Sequence, residues 1–167
     1  EVIDKDGWLH TGDIGEFEDG FLKITDRKKE IFKTSGGKYV APQVLENKFK
    51  ESPFIEQLMV IGEGEKHPSA IIQPAVDYLK EWCKRKEINY TTNEEMVTNE
   101  RVVARIQKEI DKYNAFFAKY EQLKKVQLTP TVWSIEGGEL TPTLKLRRKP
   151  IMEKYKDLCA KIYSDKI

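Results

Sequence analysis

Residues 26–46 read Asp26-Arg27-Lys28-Lys29-Glu30-Ile31-Phe32-Lys33-Thr34-Ser35-Gly36-Gly37-Lys38-Tyr39-Val40-Ala41-Pro42-Gln43-Val44-Leu45-Glu46. A run of solvated charge gives way to a short apolar strand over residues 31–37, which enters a Gly-Gly turn. Pro42 then opens a helix, because its missing N–H falls where the first turn has no partner for one. Val44, Leu45, Lys48 and Phe49 place apolar surface on one side of that helix. The small residues of the turn let backbone N–H groups come close to an anion or a thin ligand. This is not a Walker loop, since the spaced glycine and the Gly-Lys-Ser/Thr ending are both missing.

Upstream, residues 17–25 predict a hairpin turning at Asp19-Gly20, with Phe21, Leu22 and Ile24 in its second strand. Before it stands Gly7-Trp8-Leu9-His10-Thr11-Gly12-Asp13, a loop ending in a carboxylate. A short acid there is suited to accept hydrogen bonds from two vicinal ribose hydroxyls, and an ordinary turn is the competing reading. Downstream, residues 55–61 and 70–72 predict strands. Asp77 reads as the cap of a helix with Leu79, Trp82 and Cys83 facing inward, and Thr92 with Glu95 as a capping box. Val102, Val103, Ile106, Ile110, Tyr113 and Phe117 form one apolar helical stripe. Residues 126–129 and 132–135 alternate as strands do, Gly137-Gly138 turns the chain, and a polar loop spans residues 139–148. Pro150 is read as the start of a last helix carrying Ile151, Tyr155, Leu158 and Ile162. Strands and helices mix without regular βαβ alternation, which predicts an α+β fold: a small mixed sheet flanked by helices.

The 167 residues suffice for one core with a short appendage, and 39% hydrophobic with 34% charged residues is an ordinary globular balance. Lys and Arg number 29 against 28 Asp and Glu, so no overall field recruits nucleic acid. Cys83 and Cys159 stand far apart, as free thiols do in a reducing compartment. No apolar run approaches the roughly 20 residues of a membrane-spanning helix, and the opening Glu1-Val2-Ile3-Asp4 is not a signal peptide. The chain reads as cytoplasmic, with peripheral membrane contact of a longer protein left open. Lacking an initiator Met and beginning in mid-domain sequence, it reads as a fragment.

A third chemistry-bearing segment is Glu139-Leu140-Thr141-Pro142-Thr143-Leu144-Lys145-Leu146-Arg147-Arg148-Lys149-Pro150, where a lysine sits in a Pro-stiffened loop with cations behind it. By composition alone it is a basic surface patch for acidic phospholipid or RNA. Neither His10 nor His67 is accompanied by a Cys or Ser signature, and the carboxylates show no metal-ligand spacing. A stand-alone module for phosphate, another anionic ligand or RNA therefore remains one reading. Against it stand the near-zero net charge and the absence of aromatic residues interleaved among the cations in the manner of RNA-binding sheets.

Taken in order, Gly-Trp-x-x-Thr-Gly-Asp, the hairpin, Asp-Arg before Lys-Thr-Ser-Gly-Gly-Lys-Tyr, and Leu-Thr-Pro-Thr-Leu-Lys-Leu resemble the adenylate-forming superfamily, over essentially the whole chain. The resemblance implies that residues 1–28 end a large N-terminal adenylation domain and that residues 29–167 form its mobile C-terminal lid. Such enzymes use ATP and Mg2+, bound mainly by the N-terminal domain, and pass the acyl group to CoA. By resemblance, Asp13 and Arg27 meet the nucleotide, Lys29 is the hinge, and Lys145 is the catalytic lysine of adenylation. Lys33, Ser35, Gly36 and Gly37 belong to the loop that admits the pantetheine arm of CoA. No residue is assigned to a metal. The family usually carries Gly before its lysine, where this chain has Leu144; together with the stretch 117–125, that departure resembles the long-chain fatty acid–CoA ligase branch. A synthetase for another carboxylic acid is the alternative within the family. A fragment of this kind is expected to be inactive by itself.

Overall fold

A computed structural model describes residues 3–28 and 30–164, with backbone alone for residues 25–27. Strands β1 (Asp13–Glu18) and β2 (Phe21–Arg27) form the expected antiparallel hairpin, longer at both ends than the alternating residues suggest. Its turn works because Asp19 and Gly20 both adopt positive φ, at 51° and 83°. That geometry matches the right-handed twist of the flanking strands.

Short strands β3 (Phe32–Lys33) and β4 (Tyr39–Val40) flank the Gly-Gly turn as a second antiparallel pair. Helix α1 (Pro42–Phe49) starts at Pro42 as expected and buries Leu45 and Phe49 completely. Strands β5 (Ile55–Ile61) and β6 (Ser69–Pro74) pair antiparallel. Helix α2 (Val76–Arg85) begins one residue before Asp77, which lies in the first turn and is not the cap. Its carboxylate there still favours the positive end of the helix dipole.

Val102, Ile106, Ile110 and Tyr113 of the apolar stripe are buried on one helix, which a separate short helix precedes. Helix α3 (Asn93–Thr98) starts at Thr92, whose hydroxyl accepts from Glu95 N–H at 3.2 Å. The Glu95 carboxylate reaches back to Thr91 N–H at 2.7 Å, one residue short of a reciprocal box. Helix α4 (Glu100–Asn114) has its own cap, the Asn99 side chain accepting from Arg101 N–H at 3.0 Å. Phe117 lies past the helix end and still stacks on Phe49, with centroids 6.0 Å apart.

Strand β7 (Val126–Leu128) joins β6 in parallel and completes the order β5-β6-β7, a mixed sheet. Residues 132–135 are not a strand. There Trp133 N–H donates to the Gln73 side chain at 2.9 Å, and the indole docks on Tyr155, so tertiary packing overrides the alternation. The expected single last helix is two, α5 (Arg148–Lys154) and α6 (Lys156–Ser164). The first starts before Pro150, which sits within its first turn. The break falls at Tyr155, where φ −108° and ψ 26° leave the helical region.

Alternation in β5 and β6 buries both faces of the sheet. Leu58, Val60, Ala70 and Ile72 meet Leu45, Phe49, Leu79, Ile106 and Ile110 on one side. Met59, Ile61 and Ile71 meet Trp133, Ile151, Tyr155 and Ile162 on the other. Each fully buried aliphatic side chain stabilises the fold by about 2 kcal/mol before chain entropy is counted. No described helix is long and apolar enough to cross a membrane.

Candidate functional site

Leu140 and Leu146 face each other as an antiparallel bridge, and the chain between them folds into a tight turn. Leu144 N–H donates to Thr141 O, and Thr141 N–H to Lys145 O, both at 2.8 Å. The Thr141 hydroxyl accepts from Lys145 N–H at 3.0 Å. Pro142 supplies the fixed φ that the second position of such a turn favours. Leu144 then adopts φ 58°, a left-handed conformation that costs a branched residue about 1 kcal/mol. The sequence departure noted at Leu144 thus falls on the one backbone position of the turn where glycine is unstrained. Lys145 follows it, exposed, and its ammonium forms no ion pair among the described residues.

The turn borders a cavity of about 440 Å³ whose walls include Asp13, Ile24, Glu30, Gln43 and Lys145. Two residues picked out 132 positions apart (145 − 13) therefore share one cleft, between the hairpin and the helical part of the chain. Asp13 opens β1, its N–H donating to Thr11 Oγ1 at 3.1 Å, and its backbone pairs with that of Arg27. The Arg27 side chain and all of Lys29 lie outside the described residues.

Gly36 and Gly37 lie elsewhere: neither lines this cavity. Gly37 N–H donates to Thr34 O and Thr34 N–H to Lys38 O, each at 2.9 Å. Ser35 N–H donates to Glu65 O and Gly64 N–H to Lys33 O, also at 2.9 Å, which fastens the turn to the loop after β5. Gly37 has φ 81°, a conformation an L side chain rarely adopts. Gly36 has no such constraint, and a Cβ added there meets nothing within 4 Å. The Lys33 ammonium sits 5.6 Å from the Tyr39 ring centre.

Sequence reasoning missed Arg148, which gathers three elements. Its Nη2 donates to Glu46 Oε1 at 2.6 Å, its Nε to Glu30 Oε2 at 3.1 Å, and its Nη1 to Val60 O at 3.1 Å. Glu46 also accepts from Val60 N–H at 2.8 Å, and Gln43 donates to Glu30 at 2.9 Å. A signal was present: Glu46 lies on the buried side of α1 with Leu45 and Phe49, and an acid there requires a partner. Burial pushes the Glu46 carboxyl up to about 7, despite the attraction of Arg148. Burial works to lower Arg148, but Glu46 and Glu30 more than offset it and hold the guanidinium above its ordinary value.

The raised Glu46 value has a defined sign. Its contribution to stability is fully present below the unfolded value near 4.5 and is lost as pH rises through about 7. Glu46→Gln carries no charge at any pH. It is therefore expected to remove about 2 kcal/mol from the fall in unfolding free energy between about pH 5 and about pH 8, measured by urea denaturation. Identical slopes for the variant and the parent would contradict this.

Among the described residues no group of three His, Cys, Asp or Glu side chains converges so as to hold a metal ion.

The cleft thus brings a carboxylate of the hairpin and a turn-borne lysine together on an α+β fold. Residues 29–166 match the model of the AMP-binding enzyme C-terminal domain, and the chain belongs to that family. The chain is 37% identical over 168 residues to human long-chain-fatty-acid–CoA ligase 1, covering 98% of this chain and 24% of that protein. It is 36% identical over 161 residues to a long-chain-fatty-acid–CoA ligase of Mycobacterium tuberculosis, covering 95% of this chain and 27% of that one. The adenylation domain of a carboxylate reductase from Mycobacterium chelonae superposes with TM-score 0.78 at 25% identity, covering 98% of this chain and 24% of that one. The chain thus spans about a quarter of the length of the curated relatives it matches.

Proposed function

We propose that this chain is the C-terminal part of an AMP-forming fatty acid–CoA ligase of the long-chain type, comprising the end of the adenylation domain (residues 1–28) and the lid (residues 29–167). The observation that carries the reading is the shared cleft of Asp13 and Lys145. Asp13 would accept the ribose hydroxyls, with Arg27 beside the nucleotide. The Lys145 ammonium would bridge the attacking carboxylate and a phosphoryl oxygen. A carboxylate oxygen bonds to the α-phosphorus of ATP, the bond to pyrophosphate breaks, and the lysine stabilises the charge that develops without giving up its proton.

Transfer then requires a different face. Rotation about Lys29 would withdraw Lys145 and bring the Gly36 turn to the channel through which CoA enters; hinges of this kind are a few element-terminal residues that absorb a large backbone change. The thiol sulfur attacks the acyl carbonyl, AMP leaves with its bonding pair, and the thiol proton is released. Separation of Lys145 and Gly36 on the fold supports two presentations by one lid. The long-chain preference follows the relatives and not a pocket, since the fatty acid would be held by the N-terminal domain.

The test is acid-dependent exchange of pyrophosphate into ATP by the complete protein, with acids of graded chain length. Exchange that rises with long-chain acids, together with CoA-dependent release of AMP, is the expected result. Residues 1–167 alone should show neither activity. Salt-sensitive RNA binding by the complete protein, without exchange, would favour the binding-module reading instead.

A further inference from the structure

Lys145 and the segment beside the pivot are far apart along the chain, and the backbone path between them runs through the whole α+β core. One side chain short-circuits that path. Arg148 lies three residues beyond Lys145, and the intervening stem is pinned: Leu146 bridges Leu140, and Arg147 N–H donates to Glu139 O at 2.8 Å. Glu139 is itself buried and paired with Lys154 of α5. At its far end the Arg148 guanidinium holds Glu30, the residue immediately after Lys29, across 118 positions of sequence.

Resting on the roles assigned above to Lys145 and Lys29, we propose that Arg148 is a positioning residue that ties the Lys145 turn to the lid side of the pivot, so that rotation about the pivot delivers the lysine to a fixed place. The Arg148–Glu30 bond is the direct tie, and the bonds to Glu46 and Val60 O hold the guanidinium in line for it. The Gly36 turn needs no such tie. Its strand begins at Phe32, two residues after Glu30, so the pivot carries it through the main chain. Loss of the tie therefore harms the two half-reactions unequally, which a general loss of fold does not do.

The experiment uses the complete enzyme with Glu30→Ala, which leaves the buried Glu46–Arg148 pair in place, and with Arg148→Lys, which cannot hold three acceptors in one plane. Adenylation is followed by pyrophosphate exchange. Thioester formation is followed from acyl-adenylate supplied directly. For Glu30→Ala, kcat of adenylation is expected to fall between about ten- and a hundredfold, the scale of a 1 Å misplacement, with KM for ATP and acid near parental values. Thioester formation should stay within about threefold of the parent, and Arg148→Lys should show the same split, which Glu30→Ala does not deepen when the two are combined. Equal loss in both half-reactions, or no loss in adenylation, would overturn the proposal. Lys145→Ala run alongside separates the two levels: if it also leaves adenylation intact, the functional reading itself has failed, and if it abolishes adenylation while Glu30→Ala does nothing, only the tie is wrong.

Discussion

Lys145→Ala in the complete enzyme is expected to slow acid-dependent adenylation by about 10²- to 10³-fold, the loss that follows removal of one preorganised donor from a developing charge. The same variant should make thioester from supplied acyl-adenylate at close to the parental rate. Its fold should be unharmed: the side chain is exposed and unpaired among the described residues, so truncation belongs with surface substitutions worth within about 0.5 kcal/mol. The turn that carries it is closed by Thr141 and by main-chain bonds, none of which uses the ammonium. Retention of parental pyrophosphate exchange would remove Lys145 from the chemistry.

Gly36→Leu is expected to give the opposite pattern, abolishing CoA-dependent thioester formation, by more than about 10²-fold, while exchange stays near the parental rate; an obstruction that misplaces the thiol by about 1 Å suffices for that loss. The geometry makes this a clean substitution. Gly36 does not need positive φ and has open space where a Cβ would stand, so a leucine side chain projects outward without straining the turn. Gly37→Leu is a poorer probe, since φ 81° makes any L side chain there costly whatever the function. Rapid-quench measurement of acyl-AMP and acyl-CoA in one reaction distinguishes the cases. Accumulated acyl-AMP supports the channel assignment, whereas equal loss of both products contradicts it.

Much of the fold is legible in local chemistry. The Asp19-Gly20 turn, Pro42 at a helix start and the Thr92 cap are decided within a few residues, and each stands where it was read. What local pattern could not supply was competition from afar. Residues 132–135 alternate as a strand does, yet Trp133 is held by Gln73 and Tyr155. Asn99, just ahead of the apolar stripe, was a readable cap that the periodicity alone does not mark. Of the candidate site, Asp13 and Lys145 were legible as residue types, but their meeting in one cleft belongs to tertiary structure. Arg148 looked like one more cation in a basic run; only the burial of Glu46 distinguishes it.

The two-sided sheet also sets an order of assembly. Met59, Ile61 and Ile71 acquire cover from Trp133, Leu140, Ile151, Tyr155 and Ile162, which leave the ribosome after them. Until then a nascent chain holds one finished core and one bare apolar face, a state open to chaperones and proteases. The lysine-bearing turn is anchored within that later segment, so a chain cut short there loses the lysine and the cover of one apolar face together.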